Sequence, residues 1–310
     1  MMKKRYLFIC LIAVATHAQH LPKSLEHTYE TEANPRYSDE FNADRKHHKF
    51  DASKWHYRQP KPWRKGLATG KEYVQEKDGK LICFGRKHEK KAGGIVSNNY
   101  FQYGFYAFRW KTTGIHEEGK NVWHPSVWGS LDDTQKGKVP YTSGKGDSWM
   151  EIDIMEFSTW KASGTDWNAD APAYIWVDSI KKRAKVNKLG KKFGWRKAMM
   201  TDGKKDKYKG KVIGSYGFNE WQTMGMEYHP DYLQLWLVDE GEWVPVGHRI
   251  HFTDNNVKPS LRTVPKKAVK PLYWYIGNLY MPQGKAAVTE EQITECTFEV
   301  DWFHFYDLKK

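Results

Sequence analysis

Short apolar runs set apart by turn signals fill this chain, and no stretch sustains a helical period. Candidate strands run from Lys80 to Gly85, Tyr100 to Thr112, Val122 to Gly129, Pro172 to Asp178, Met224 to Tyr228, Tyr232 to Val238, Trp243 to Val246, Leu272 to Tyr280 and Cys296 to Asp307. Just before the first of them, Lys77-Asp-Gly-Lys80 reads as a hairpin turn between two strands. Many short strands, no helix and no internal repeat predict an all-β sandwich. A chain of 310 residues with 39% hydrophobic content can bury the core of one large domain of this kind.

One run departs from ordinary strand composition. Between Trp149 and Phe157, Glu151, Asp153 and Glu156 stand among Met150, Ile152, Ile154 and Met155. Residues two apart on a strand share a face, so Glu151 and Asp153 point the same way. Glu156 is odd-spaced and belongs on the opposite face, unless one extra residue near Met155 forms a β-bulge and swings it back. Three aligned carboxylates repel one another, so a purely structural strand has no use for the arrangement. Glycoside hydrolysis with retention does. One carboxylate attacks the anomeric carbon while a second carboxyl, about 5–5.5 Å away, protonates the leaving oxygen. A middle Asp can hydrogen-bond the nucleophile and help keep the acid protonated. An acidic outer face on a half-exposed strand is the plainer alternative. No His lies in the run, which argues against a metal site.

Several blocks, in order, widen the signal. Glu151-Ile-Asp-Ile-Met-Glu156 resembles the E-x-D-x-x-E signature of glycoside hydrolase family 16 in its β-bulge form. Tyr37-Ser-Asp-Glu-Phe-Asn42 with Lys54-Trp55 resembles that family's opening strand, and Tyr103-Gly-Phe-Tyr-Ala-Phe-Arg-Trp-Lys111 its Y-G-x-x-x-x-R-x-K strand. Trp123-His-Pro-Ser-Val-Trp128 is similar to W-P-A-F-W, the segment from Trp221 to Tyr232 to F-H-x-Y-x-x-E-W-x-P-D-x, and the segment from Val300 to Tyr306 to the closing V-D-Y-x-x-x-Y strand. The resemblance covers residues 36–307. It implies a jelly-roll β-sandwich of the concanavalin-like kind with an open substrate cleft. It also implies Glu151 as nucleophile, Asp153 as its assistant and Glu156 as acid/base, with no cofactor required. Trp128 carries over as a wall beside the reacting sugar. Asp301 matches a position that helps hold a structural calcium in some members, although an isolated strand Asp is more often a plain acceptor.

The net charge of +13 points to an anionic partner. Nucleic acid is the usual first thought, and an anionic polysaccharide fits the charge equally well; the leader-like residues 1–18 and a carboxylate row that repels phosphate favour the polysaccharide. Trp55, Arg58, Trp63 and Arg64 interleave aromatics with cations between residues 55 and 65. Aromatic faces suit the apolar faces of sugar rings, and a guanidinium fork grips a sulfate or carboxylate. Trp123, Trp128 and Trp149 are further stacking candidates. Trp55-x-x-Arg58 looks like a pairing in the porphyran-cleaving branch of the family, where the Arg accepts a sulfated galactose. The expected substrate is therefore a sulfated red-algal galactan such as porphyran, cut at its β-1,4 linkages. A β-agarase, a κ-carrageenase and a non-catalytic carbohydrate-binding sandwich remain open.

Residues 1–18 read as a signal peptide, with Lys3, Lys4 and Arg5 ahead of a short apolar run and a cleavage site after Ala18. The run is too short to span a bilayer, so a secreted or periplasmic protein is expected; a monomer is the expected state. Residues 19–35 read as a polar, flexible lead-in and residues 36–310 as the catalytic domain. Cys83 and Cys296 lie in apolar runs and are compatible with either a disulfide or buried thiols.

Overall fold

Seventeen strands are formed among the described residues, and their apolar alternation accounts for most of them. In a computed structural model, the structure describes residues 21–42, 50–60, 66–114, 122–130, 149–156, 173–176, 207–208, 211–212, 221–239, 241–254, 263–266, 269–281 and 290–310. The strands are β1 (Trp55–Tyr57), β2 (Val74–Lys77), β3 (Lys80–Arg86), β4 (Lys91–Ala92), β5 (Gly94–Ser97), β6 (Gly104–Thr113), β7 (Ser126–Ser130), β8 (Trp149–Glu156) and β9 (Ala173–Trp176). They continue with β10 (Lys207–Tyr208), β11 (Lys211–Val212), β12 (Gln222–His229), β13 (Tyr232–Asp239), β14 (Glu242–Thr253), β15 (Thr263–Pro265), β16 (Tyr273–Gly277) and β17 (Cys296–Asp307). The expected all-β sandwich is what forms. One sheet has the order β1-β5-β16-β7-β8-β9, and the larger has β15-β14-β13-β12-β6-β17-β3-β2 with β4 on β3.

The hairpin turn read at Lys77 to Lys80 joins β2 to β3, with Lys77 opposite Lys80. Asp78 and Gly79 both take positive φ, 53° and 71°, as a two-residue turn between twisted antiparallel strands requires.

Alternation fills the space between the sheets. Tyr106, Phe108 and Trp110 of β6 meet Ile95, Trp274, Ile276, Val127 and Ile152 of the facing sheet. Each such side chain contributes roughly 1.5–3 kcal/mol of hydrophobic stabilisation, before the cost of ordering the chain is subtracted. In β17 the parity changes midway. Phe298 and Val300 enter the core, then Phe303 and Phe305 do. The register shifts between Val300 and Trp302, so Asp301 is the extra residue of a bulge that makes the switch.

Of the segment 19–35 read as a polar, flexible lead-in, residues 21–35 are described and lie docked on the larger sheet. Leu21, Leu25 and Tyr29 are buried against Phe105, Trp236, Trp302 and Tyr306 on the outer face of the larger sheet. The backbone is tied down as well. Glu30 N–H donates to Asp307 O at 2.9 Å, Asn34 N–H to Phe305 O at 2.8 Å, and Lys309 N–H to Thr28 O at 2.9 Å. Glu227, wholly buried beneath this segment, accepts from the Tyr232 hydroxyl at 2.8 Å and the Trp236 Nε1–H at 2.9 Å. A few apolar anchors suffice to dock a polar segment, and average composition conceals them.

Cys83 and Cys296 are free, buried thiols. Burial pushes both well above the ordinary thiol range, so they stay protonated. Among the described residues no helix is long and apolar enough to cross a membrane. The expected signal peptide at residues 1–18 lies outside the described residues.

Candidate active site

The outer face of the smaller sheet carries the candidate site, and β8 sets its register. Glu151 pairs with Ser130, Asp153 with Trp128 and Glu156 with Ser126. Ser126, Trp128 and Ser130 alternate along β7 and so share one face, and directly paired residues share a face too. The odd spacing is absorbed between Asp153 and Met155, which pair with the adjacent residues Trp128 and Val127. Ile154 is therefore the extra residue, one position before the bulge expected near Met155. Ile152, Ile154 and Met155 are all buried in the core. Of Trp149, Glu151 and Glu156 the structure describes the backbone. Their positions fall in register as stated, and Trp149 pairs with Trp176 of β9. The Asp153 side chain is buried at 2% exposure.

Three cross-strand rows extend from these positions across the face. From Asp153 the row runs through Trp128, Tyr275, Val96 and His56. From Glu151 it runs through Ser130 to Tyr273. From Glu156 it runs through Ser126 and Gly277 to Gly94. Arg58 N–H donates to Gly94 O at 2.8 Å and so closes that third row. Gly94 and Gly277 allow a close approach of β5 and β16, since a Cβ on Gly277 would stand 2.6 Å from the Gly94 Cα.

Arg58 reaches back from the sheet edge over the middle row. Its guanidinium carbon is 5.1 Å from the Trp128 ring centroid and 5.5 Å from that of Tyr275. Those rings stack on each other at 4.2 Å with 19° between their planes. The side chain is only 3% exposed, and among the described residues its Nε has no hydrogen-bond partner. Among the described residues no carboxylate pairs with it. Cation–π contact offsets part of the desolvation cost, but a guanidinium this buried is best satisfied by an anion. Nearby, His56 Nδ1 lies 2.7 Å from Asn98 Oδ1.

The other sequence candidates separate sharply. Trp55 is not on the outer face of the smaller sheet. It is buried between the sheets, edge-on to Phe303, with its Nε1–H donating to Asp39 Oδ2 at 2.9 Å. Alternation explains this, because His56 and Arg58 face outward and Trp55 and Tyr57 pack inward. Trp123 is likewise core. It packs with Val122, Ile293 and Cys296 and donates to Thr294 O at 2.8 Å. Trp63 and Arg64 lie outside the described residues. Asp301 is engaged by a different cation, the Arg109 guanidinium at 2.7 Å. A carboxylate held this way is a poor calcium ligand. Among the described residues no group of three or more His, Cys, Asp or Glu could hold a metal ion. Tyr273 and Tyr275 were missed. The period-two run Tyr273-Trp-Tyr-Ile-Gly277 held the signal, with Trp274 and Ile276 in the core and both tyrosines on the outer face of the smaller sheet.

The solved structures similar to this one share its sandwich. One is an immunostimulatory antigen and pseudo β-1,3-glucanase of Mycobacterium tuberculosis, at 14% identity and a TM-score of 0.55, over 88% of this chain and 98% of that one. Another is the κ-carrageenase of Pseudoalteromonas carrageenovora, at 15% identity and a TM-score of 0.52, over 89% and 95%. A third is porphyranase B of Zobellia galactanivorans, at 15% identity and a TM-score of 0.51, over 90% and 93%. The likeness is one of fold. No protein-family model and no curated protein matches the sequence.

Proposed function

We propose that this chain is an endo-acting, retaining glycoside hydrolase whose substrate is an anionic β-linked galactan, with porphyran the leading candidate. The observation that carries the reading is the bulge at Ile154, which keeps the three acidic positions in register with one face of β7. In the first step a Glu151 carboxylate oxygen bonds to the anomeric carbon, the glycosidic bond breaks, and the Glu156 proton passes to the departing oxygen. In the second, Glu156 takes a proton from water, the water oxygen bonds to the anomeric carbon, and Glu151 is released. Asp153, between them, orients Glu151. The buried Arg58 beside Trp128 supports a negatively charged group on the bound sugar. Trp149, Trp63 and Arg64 are proposed as further contacts. The leader-like residues 1–18 support action outside the cytoplasm as a secreted or periplasmic monomer.

A second reading has a specific observation behind it, since a pseudo-glucanase shares the fold. In that case the cleft binds sugar without cutting it. Reducing-end assays on porphyran, agarose, κ-carrageenan and laminarin separate the two. Hydrolysis of a sulfated galactan is expected, with Glu156→Gln slower by roughly 10²–10⁴-fold. Glu151→Gln is expected to fold and to lose most turnover. Undiminished activity in either variant would remove the assignment.

A further inference from the structure

Tyr100, 44% exposed, stands out among the described residues as the one large hydrophobic side chain left open to solvent. It is held in place by its neighbours. Ser97 Oγ donates to Asn99 O at 2.7 Å and accepts from Trp274 N–H at 2.9 Å. Phe101 and Leu272 exchange backbone hydrogen bonds, both 3.1 Å. The Tyr100 ring meets Tyr273 edge-on, with centroids 5.5 Å apart and planes at 82°. Tyr273 itself is buried among Val96, Trp128 and Tyr275, which identifies it as part of the cleft face.

We infer that Tyr100, backed by Tyr273, is an outer sugar platform of the same cleft, stacking a pyranose ring of the bound polysaccharide away from the reacting linkage. The inference rests on the hydrolase reading and extends it. Register gives the location. Tyr273 pairs with Ser130, and Ser130 with Glu151. The platform thus begins two strands from the nucleophile position, a distance of roughly 10 Å across the sheet. A half-exposed tyrosine braced edge-on by a buried one offers a rigid apolar face with a hydroxyl at its rim, which matches one face of a sugar ring and its hydroxyls. The two sides of the trough then differ. The Glu151 row ends in Tyr273 beside Tyr100, whereas the Arg58 cation lies over the adjoining row, above Trp128 and Tyr275. A chain bearing its anionic groups along one edge fits this asymmetry, with the uncharged edge toward Tyr100.

The test compares wild type, Tyr100→Ala and Tyr100→Phe by kinetics on galactan oligosaccharides of increasing length. It adds affinity electrophoresis in gels containing porphyran, κ-carrageenan or agarose. Tyr100→Ala should raise KM by roughly two- to tenfold on long substrates, with the effect growing with length, and should reduce gel retardation. Tyr100→Phe, which keeps the ring, should lose less than Tyr100→Ala. Hydrolysis with a KM and retardation indifferent to Tyr100→Ala would overturn the platform and leave the hydrolase standing. Retardation that depends on Tyr100, without hydrolysis, would sustain the platform and overturn the hydrolase. Neither retardation nor hydrolysis on any galactan would overturn both.

Discussion

Asp153 is paired with Trp128 across β8 and β7, yet two residues further on Met155 is paired with Val127, the next residue of β7. Removing Ile154 would leave Asp153, Met155 and Glu156 in plain alternation with the same three partners. The deletion therefore keeps the acidic register. It should lower stability by about 2–5 kcal/mol through loss of a buried aliphatic side chain, and retain measurable hydrolysis below its lowered Tm. Inserting one alanine after Ile154 should leave Glu156 out of line and abolish turnover. Activity lost in the deletion while circular dichroism shows a folded sheet would contradict the register argument.

Arg58 should read the charge of the substrate. Arg58→Ala is expected to lower kcat/KM on sulfated galactan by roughly ten- to hundredfold, the scale of a hydrogen bond to a charged group, and to spare neutral agarose by comparison. Arg58→Lys should not restore it, because a lysine lacks the planar fork and stacks poorly on Trp128 and Tyr275. Equal losses on charged and neutral substrate would remove the role.

Asp301 needs no metal if Arg109 is its partner. Thermal melts with chelator and with added calcium should superimpose. Arg109→Ala should cost about 1 kcal/mol or less, as a partly exposed ion pair does. A calcium-dependent rise in Tm that disappears in Asp301→Ala would return the carboxylate to a cation-binding role.

Alkaline pH should unfold the protein. Burial raises the phenol of Tyr106 and that of Tyr228 well above the ordinary value of 10.0. Tyr73 is pushed up to about 12, chiefly by its hydrogen bond to Glu89. The folded state therefore holds protons that the unfolded chain releases near pH 10. This stability is intact below pH 10 and is lost as pH rises toward the folded values, by about 1.4 kcal/mol per pH unit for each such group. Urea midpoints from pH 8 to pH 11.5, with tyrosinate absorbance recorded in parallel, check it. Free ionisation of all tyrosines in the folded protein would refute it.

Strand content was legible because apolar alternation is local. The closing run from Cys296 to Asp307 was read with the bounds the structure has, as was the turn at Asp78 and Gly79. Short strands such as β5 and β15 went unread, because three or four residues hold too few positions to show an alternation. At the candidate site the odd spacing of Glu156 announced a bulge, since only an extra residue reconciles it with one face. Which aromatics share the face of the acidic row was harder to read. Trp55 and Trp128 have similar local chemistry, and strand parity together with the opposing sheet decides that one is core and the other on the outer face. The docking of residues 21–35 depends on partners some 275 residues away, such as Phe305 and Asp307, and no local window contains that information.

The contact between Thr28 and Lys309 brings both ends of the described chain together on the larger sheet, behind the face that carries the acidic row. Any mooring fastened upstream of Leu21, whether a lipid, a neighbouring module or an immobilisation tag, would hold the molecule by its back. The face that carries the acidic row would then point outward, toward material too large to diffuse to the protein.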